Sequence, residues 1–515
     1  MRSLLVWLSA ALLFVAAGPA NAAWYKSNSK HFIIYADQNP KVLADFASRL
    51  ERFDQAVRAL LKMDDPAVGD GNRVTVYVLP TDADVRKLIG DTTGFILGFY
   101  TGRATGSLVY IGKRNGPDGS LGADAILYHE YSHHLMMQQL DRPYPEWFVE
   151  GFAEYLSAPI FEHDGAVGIG APPQDRDWSL LEQKSLPADV VLGETYGDIT
   201  KLPKEQRMLL YERGWLLVHY LYMEPKRAGQ LQHYFHSIAG GTPPLAAAQA
   251  AFGDLSQLEK ELKAYRQRDT LAYFKIPAAL TIPAPVDVQP LGAGASQIIL
   301  LRGTLKYGVG PSETEALAAK VRQVEAQFPG EELVESTLSE AELKSGHVDA
   351  AEAAADRALK INPRNTEAMV LKGDAIVARG KEHYGPQRHA LFEQARQIYI
   401  GANKLDTEDP EPLFEYYQSY MHERVRPTAN AIAAMHYASD LAPQDVGLRM
   451  NSAIAYLNEG KFDEARMTLN VVAYSPHSGS AAEMARRMIA DIDAGKGNAA
   501  LAELRTAATA PTSSH

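Results

Sequence analysis

The stretch Tyr128–Ser157, YHEYSHHLMMQQLDRPYPEWFVEGFAEYLS, decides how this chain is read. Its second to sixth residues, His129-Glu130-Tyr131-Ser132-His133, form an HExxH pattern. Four residues of α-helix turn through about 400°, so His129 and His133 project from one face and can grip one metal ion. Glu130 stands about 100° round from His129, beside the ion rather than beneath it, where a carboxylate can hold a water. The pattern predicts a helix from near Asp124 to no further than Pro143, then a second helix restarted by Pro145 and running to about Ser157. So short a Pro-bounded connection folds the second helix back on the first. It carries Glu150, seventeen residues past His133, and Glu154 one turn later. Spacing alone allows either carboxylate to be a third ligand.

Two neutral imidazoles and one carboxylate would give zinc three protein ligands and leave a fourth position for water. Zinc would lower that water's pKa from about 15.7 towards 7, and Glu130 would take its proton as it attacks a carbonyl. The chain has 0 cysteines, which excludes thiolate ligands, disulfides and a cysteine nucleophile. No G-x-S-x-G elbow offers a serine instead. The bland alternative is an amphipathic helix with two surface histidines. The adjoining helix with its EGFAEY segment counts against it.

HEYSH followed by WFVEGFAEY resembles the gluzincin metallopeptidases. The resemblance is specific over residues 124–158 and loose over the rest of 24–270. It implies an α+β zincin-like domain: a small mixed sheet, active-site helices and a helical second lobe. It further implies one Zn2+ held by His129, His133 and Glu150, with Glu130 as general base. The G-x-M-E-N motif of the aminopeptidase branch is absent, which favours an endopeptidase or a narrower specialised hydrolase. Related peptidases often stabilise the oxyanion with a tyrosine of the second lobe, and Tyr211 in LLYERGWLLVHYL stands in a similar context, with Tyr196 next. Tyr211, Trp215, Val218 and Tyr222 also make a helical stripe, which reads equally as core. Glu154 is expected to accept the free ring N–H of His129, against the plainer reading of a solvated charge. His134 reads as packing or surface, and His233 with His236 as a polar helix face.

The 515 residues suggest about three domains. Residues 1–22 read as a secretory leader, with Arg2, an apolar run Leu4–Ala17 and the small-residue site Ala20-Asn21-Ala22. The run is shorter than a bilayer span, so the mature chain is expected from Ala23 without a transmembrane span. The absence of cysteine suits a bacterial periplasm or secretion. Residues 23–158 form the N-terminal zincin subdomain, with strands His31–Tyr35, Arg73–Leu79 and Ser107–Gly112 and a long helix capped by Asn39 with Pro40 at its first turn. Ser107–Gly112, just ahead of the HExxH helix, is the candidate edge strand for an extended peptide. Residues 159–275 are the helical second lobe, with a weak pattern from Ile160 to Val191. Residues 276–310 read as a Pro/Gly-rich linker holding a strand or two.

From 311 to 498 the chain repeats. Pro329, Pro363, Pro410, Pro443 and Pro476 close successive helix pairs at spacings of 34, 47, 33 and 33, the long interval fitting an insertion around Glu382–His389. Small residues recur at matching offsets, among them Gly346, Ala351 and Ala358, then Gly460 and Ala465. These resemble tetratricopeptide repeats, which implies an all-α solenoid. Residues 499–515 form an Ala/Thr/Ser-rich flexible tail. A net charge of −12 supplies no basic face for nucleic acid. The expected protein is an exported zinc endopeptidase acting on a protein or peptide, its repeats recruiting a protein partner or substrate. Its rival is an adaptor that keeps the peptidase fold as a scaffold.

Overall fold

Short runs of apolar residues set the core. In the computed structural model, which describes residues 24–91, 98–104, 106–113, 124–139, 144–172, 186–193, 204–473 and 479–497, they lie on strands of a six-stranded sheet. The expected leader (1–22), tail (499–515), Tyr196 and Pro476 fall outside the described residues. The strands are β1 (Tyr25–Asn28), β2 (Phe32–Ala36), β3 (Val74–Leu79), β4 (Gly98–Thr101) and β5 (Leu108–Gly112), then β6 (Ile160–Phe161), β7 (Val167–Ile169), β8 (Phe274–Ile276) and β9 (Asp287–Pro290). The main sheet has the order β4-β5-β3-β2-β1-β9, parallel along β5-β3-β2 and antiparallel elsewhere. β6, β7 and β8 form a second, antiparallel sheet.

Successive strand residues point to opposite faces, and here both faces are buried. One face (Phe32, Ile34, Val74, Val76, Val109 and Ile111) packs against the long helix Pro40–Leu61 and the HExxH helix Asp124–Gln139. Asn39 caps the long helix through a 2.9 Å bond from the Lys41 amide, with Pro40 in its first turn. The other face carries Tyr35, Tyr77 and Tyr110 in register, their rings stacked at centroid distances of 5.5 and 5.3 Å. A helix over Ala293–Tyr307 lies on this ladder, and the Tyr110 hydroxyl donates to the Gly303 carbonyl at 2.8 Å.

Two expectations are corrected here, and one weakly patterned region gains elements. Ser107–Gly112 is not an edge strand: β5 sits between β3 and β4, and β4 holds the edge. Residues 276–310, expected to be a linker holding a strand or two, do hold strand but are built into the fold rather than linking two parts of it. They supply edge strand β9 and the Ala293–Tyr307 helix, and their first residue ends β8. The weakly patterned region from Ile160 to Val191 contains β6 and β7, which at two and three residues are too short to show an alternation.

Beyond Pro311 the described chain is helices joined by short turns, stacked pairwise. The long repeat interval is absorbed by a helix of 21 residues, Gly385–Leu405. The array also lies against the N-terminal unit. The Asn72 side chain donates to the Leu441 carbonyl at 2.6 Å, and the Asp70 amide to Asp406 at 2.7 Å. Among the described residues no helix is long and apolar enough to cross a membrane.

Candidate metal centre

The HExxH helix and the helix Glu146–Leu156 pack side by side, and their facing side chains converge. His129 Nε2 and His133 Nε2 are 3.2 Å apart, and Glu150 Oε2 lies 3.5 Å from the first and 3.6 Å from the second. The three atoms therefore make a nearly equilateral triangle. An ion with tetrahedral bonds of roughly 2.0–2.1 Å needs its ligand atoms roughly 3.3–3.4 Å apart, so the donor set fits zinc in identity and in spacing. Glu150 is fully buried and His133 nearly so, which makes this an expensive place to hold negative charge without a cation.

The surrounding charge points the same way. Burial alone would lower the pKa of His129, but the hydrogen bond to Glu150 and the charges of Glu154, Glu130 and Glu150 raise it to about 9. These carboxylates favour positive charge at one imidazole, as a proton or as a metal ion. Glu154 Oε1 lies 3.4 Å from His129 Nδ1, on the ring side opposite the triangle. Glu130 is half-buried. Its charge is felt at His129 and also at Tyr100 of edge strand β4, whose phenol is pushed up chiefly by burial.

Tyr211 lies on the helix Lys204–Met223, with its ring 6.0 Å from that of His129. A pair of glycines lets this helix approach. A Cβ placed on Gly151 would fall 2.3 Å from the Gly214 carbonyl carbon, and one on Gly214 would fall 2.5 Å from the Trp147 carbonyl oxygen. The glycine of EGFAEY thus serves helix contact, and its partner Gly214 was not singled out in the sequence. The signal was there in the one glycine of LLYERGWLLVHYL, which costs helix propensity and is explained by close packing.

His134 is buried rather than at the surface. It stacks on Tyr131 at 5.3 Å, meets the Tyr100 hydroxyl at 2.9 Å through Nδ1, and takes a 3.0 Å bond from Gln138 at Nε2. Burial, with Arg58 and His31 nearby, holds its pKa down at about 3, so it is a neutral hydrogen-bonding group. His233 and His236 are exposed, in keeping with a polar helix face. A second group with metal-capable side chains, His31, Asp54 and Asp65, lies where β2 and the long helix meet.

No protein-family model matches the chain, and neither does any curated protein. Solved structures similar to part of it include TTC0263, a thermophilic TPR protein of Thermus thermophilus. It is 18% identical, with 38% of this chain and 98% of that one covered and a TM-score of 0.33. MamA from residue 41 to its end, from Desulfovibrio magneticus, is 15% identical, with 36% of this chain and 96% of that one covered and a TM-score of 0.27.

Proposed function

We propose that this chain is an exported zinc metallopeptidase of gluzincin type, cleaving within peptides or proteins, with its helical array as an interaction surface. The observation that carries the reading is the His129–His133–Glu150 triangle, whose sides of 3.2, 3.5 and 3.6 Å match a zinc ligand set. Zinc held there would supply Lewis acidity, which makes water acidic near neutral pH and polarises a carbonyl. Glu130, next in the chain to His129, takes the proton of the attacking water and hands it to the leaving amine. Tyr211, against His129, is the donor for the developing oxyanion. Glu154 keeps the Nδ1 side of His129 engaged, so that Nε2 faces the triangle. An extended peptide would run along β4, an edge strand of the main sheet whose Tyr100 feels the charge of Glu130, in the role first assigned to Ser107–Gly112.

The test is Glu130→Gln in the full chain. Zinc content by mass spectrometry should stay at one ion per chain, while hydrolysis of an unstructured protein substrate should fall by about 10²–10⁴-fold. Wild type without zinc, or an equally active variant, sinks the reading. A second reading makes the array's protein interactions the function and the zincin-like unit a scaffold. It is favoured by large apolar side chains left exposed on the array, Tyr384 at 86%, Met467 at 58% and Met421 at 45%. It requires Glu130→Gln to leave the biological activity intact.

A further inference from the structure

The HExxH helix has no basic residue in its last turn, so its own sequence supplies no cation for its terminal carbonyls. The repeat array brings one. Arg449, in the helix Val446–Asn458, donates through Nη2 to the Met137 carbonyl at 3.3 Å and through Nε to the Pro443 carbonyl of its own turn. One guanidinium thus ties the array to the end of the helix that carries His129, Glu130 and His133.

Two further links leave the same turn. Gln444 is buried, and its Nε2 donates to Ser107 Oγ at 3.3 Å; Ser107 Oγ also accepts from the Tyr100 hydroxyl at 3.2 Å. Tyr100 in turn meets His134, the neighbour of His133, at 2.9 Å. This is a continuous hydrogen-bonded chain from the array, through edge strand β4, to the HExxH helix. Asp445 makes the other link. Its Oδ1 caps its own helix through the Leu448 amide at 2.8 Å, and its Oδ2 accepts from the Ala104 amide, just past β4, at 2.6 Å. One carboxylate thus joins the cap of that helix to the loop after β4.

We propose that the Gln444–Arg449 turn of the repeat array is an intramolecular clamp, which positions the HExxH helix and the β4 edge. Arg449 and Gln444 are then positioning residues for the metal site and for the strand that receives substrate. The physical reason is preorganisation. A three-ligand site works only when its donors are held within about 0.5 Å of productive geometry, and supports beyond the ligands set that tolerance. The proposal rests on the metallopeptidase reading for what the clamped helix does, while the clamp itself rests only on the contacts.

The experiment uses the full chain and compares wild type with Arg449→Met, Arg449→Lys and Gln444→Ala. Zinc affinity is read by competition with a chromophoric chelator, and amide hydrogen exchange is read for residues 130–139 and 98–104. Arg449→Met should weaken zinc by about tenfold, the lower end of what lost outer support costs a metal site. It should also speed exchange in residues 130–139 while leaving the repeat helices 332–423 unchanged. Arg449→Lys keeps a cation at the helix end and should recover most of the affinity. Gln444→Ala should speed exchange in residues 98–104, and it reads the clamp independently if Arg449→Met folds poorly. Wild-type affinity and exchange in Arg449→Met and Gln444→Ala alike overturn the clamp, and an Arg449→Lys as weak as Arg449→Met overturns the role of charge. A wild type that binds no zinc removes the metallopeptidase reading and leaves the clamp to be decided by exchange alone.

Discussion

Among the described residues of the N-terminal unit, two clusters offer three metal-capable side chains with ligand atoms within 4.8 Å of one another: His129, His133 and Glu150, and His31, Asp54 and Asp65. Proximity does not tell them apart, but the charges around them do. The strongest charge effects on His129 all come from carboxylates. The second cluster already contains its cations. Arg58 Nε lies 2.9 Å from both oxygens of Asp54, Lys30 pairs with Asp65, and His31 is bonded by Glu51 through Nδ1 at 2.8 Å and by Asp65 through Nε2 at 3.0 Å. Both ring nitrogens of His31 are therefore engaged within the protein. A donor set whose charge the protein already balances with its own cations, as at His31, is thus the poorer candidate for a metal ion.

The largest effect should come from removing a donor of each. Glu150→Ala should take zinc from one ion per chain to none, and Asp65→Ala should leave the metal content unchanged; elemental analysis after dialysis decides. Zinc lost from Asp65→Ala, or kept in Glu150→Ala, would break the comparison. Stability should respond in the opposite sense. Asp54 is fully buried, holds Arg58, and accepts a 2.7 Å bond from Tyr131 of the HExxH helix. Asp54→Ala leaves a buried guanidinium without its main partner and should cost about 3–5 kcal/mol in urea unfolding. Glu150→Ala in the metal-free protein should cost less, because His129 keeps the charges of Glu154 and Glu130 beside it.

What could be read from the sequence follows the range of the interactions. His129, Glu130 and His133 are fixed by spacing within one helix, and Glu150 is brought back by one short connection. Strands β2, β3 and β5 announced themselves because each is a run of five or six residues rich in β-branched, aromatic and other apolar side chains. Strands β1 (YKSN), β4 (GFYT) and β9 (DVQP) are four residues long and, Ser27 apart, have half-exposed or exposed side chains, so they carry no comparable pattern. The helix Ala293–Tyr307 was hidden by its glycines, which local propensity reads as breakers. Tertiary packing explains both of them: a Cβ at Gly294 would fall 2.5 Å from that of Phe328, and one at Gly303 would fall 3.2 Å from the Tyr77 ring. Arg449 could not have been linked to the HExxH helix, because nothing local to either segment records that the array folds back on the sheet.

The smallest effect separates the clusters by pH. In the second cluster, burial opposes charge on His31, but the bond from Glu51 and the charges of Asp54 and Glu51 raise its pKa, with Arg58 opposing. A folded pKa above the unfolded value of about 6.5 means that the His31 contribution is complete below that pH. It is lost as pH climbs through the folded value. Burial likewise opposes the charge of Asp65, yet Lys30, Gln55 and His31 hold its carboxyl at about 2, so its contribution is complete above an unfolded pKa of about 3.9. It fades as pH falls through the folded value. The cluster should therefore be strongest between about pH 4 and 6.5. In His31→Gln the alkaline loss has no group to drive it. The wild-type advantage in urea midpoint should be widest near pH 6 and should narrow steadily towards pH 9. A constant advantage over that range would mean that His31 acts by shape rather than by charge, and the contrast with the carboxylate-dominated centre at His129 would then rest on Arg58 and Lys30 alone.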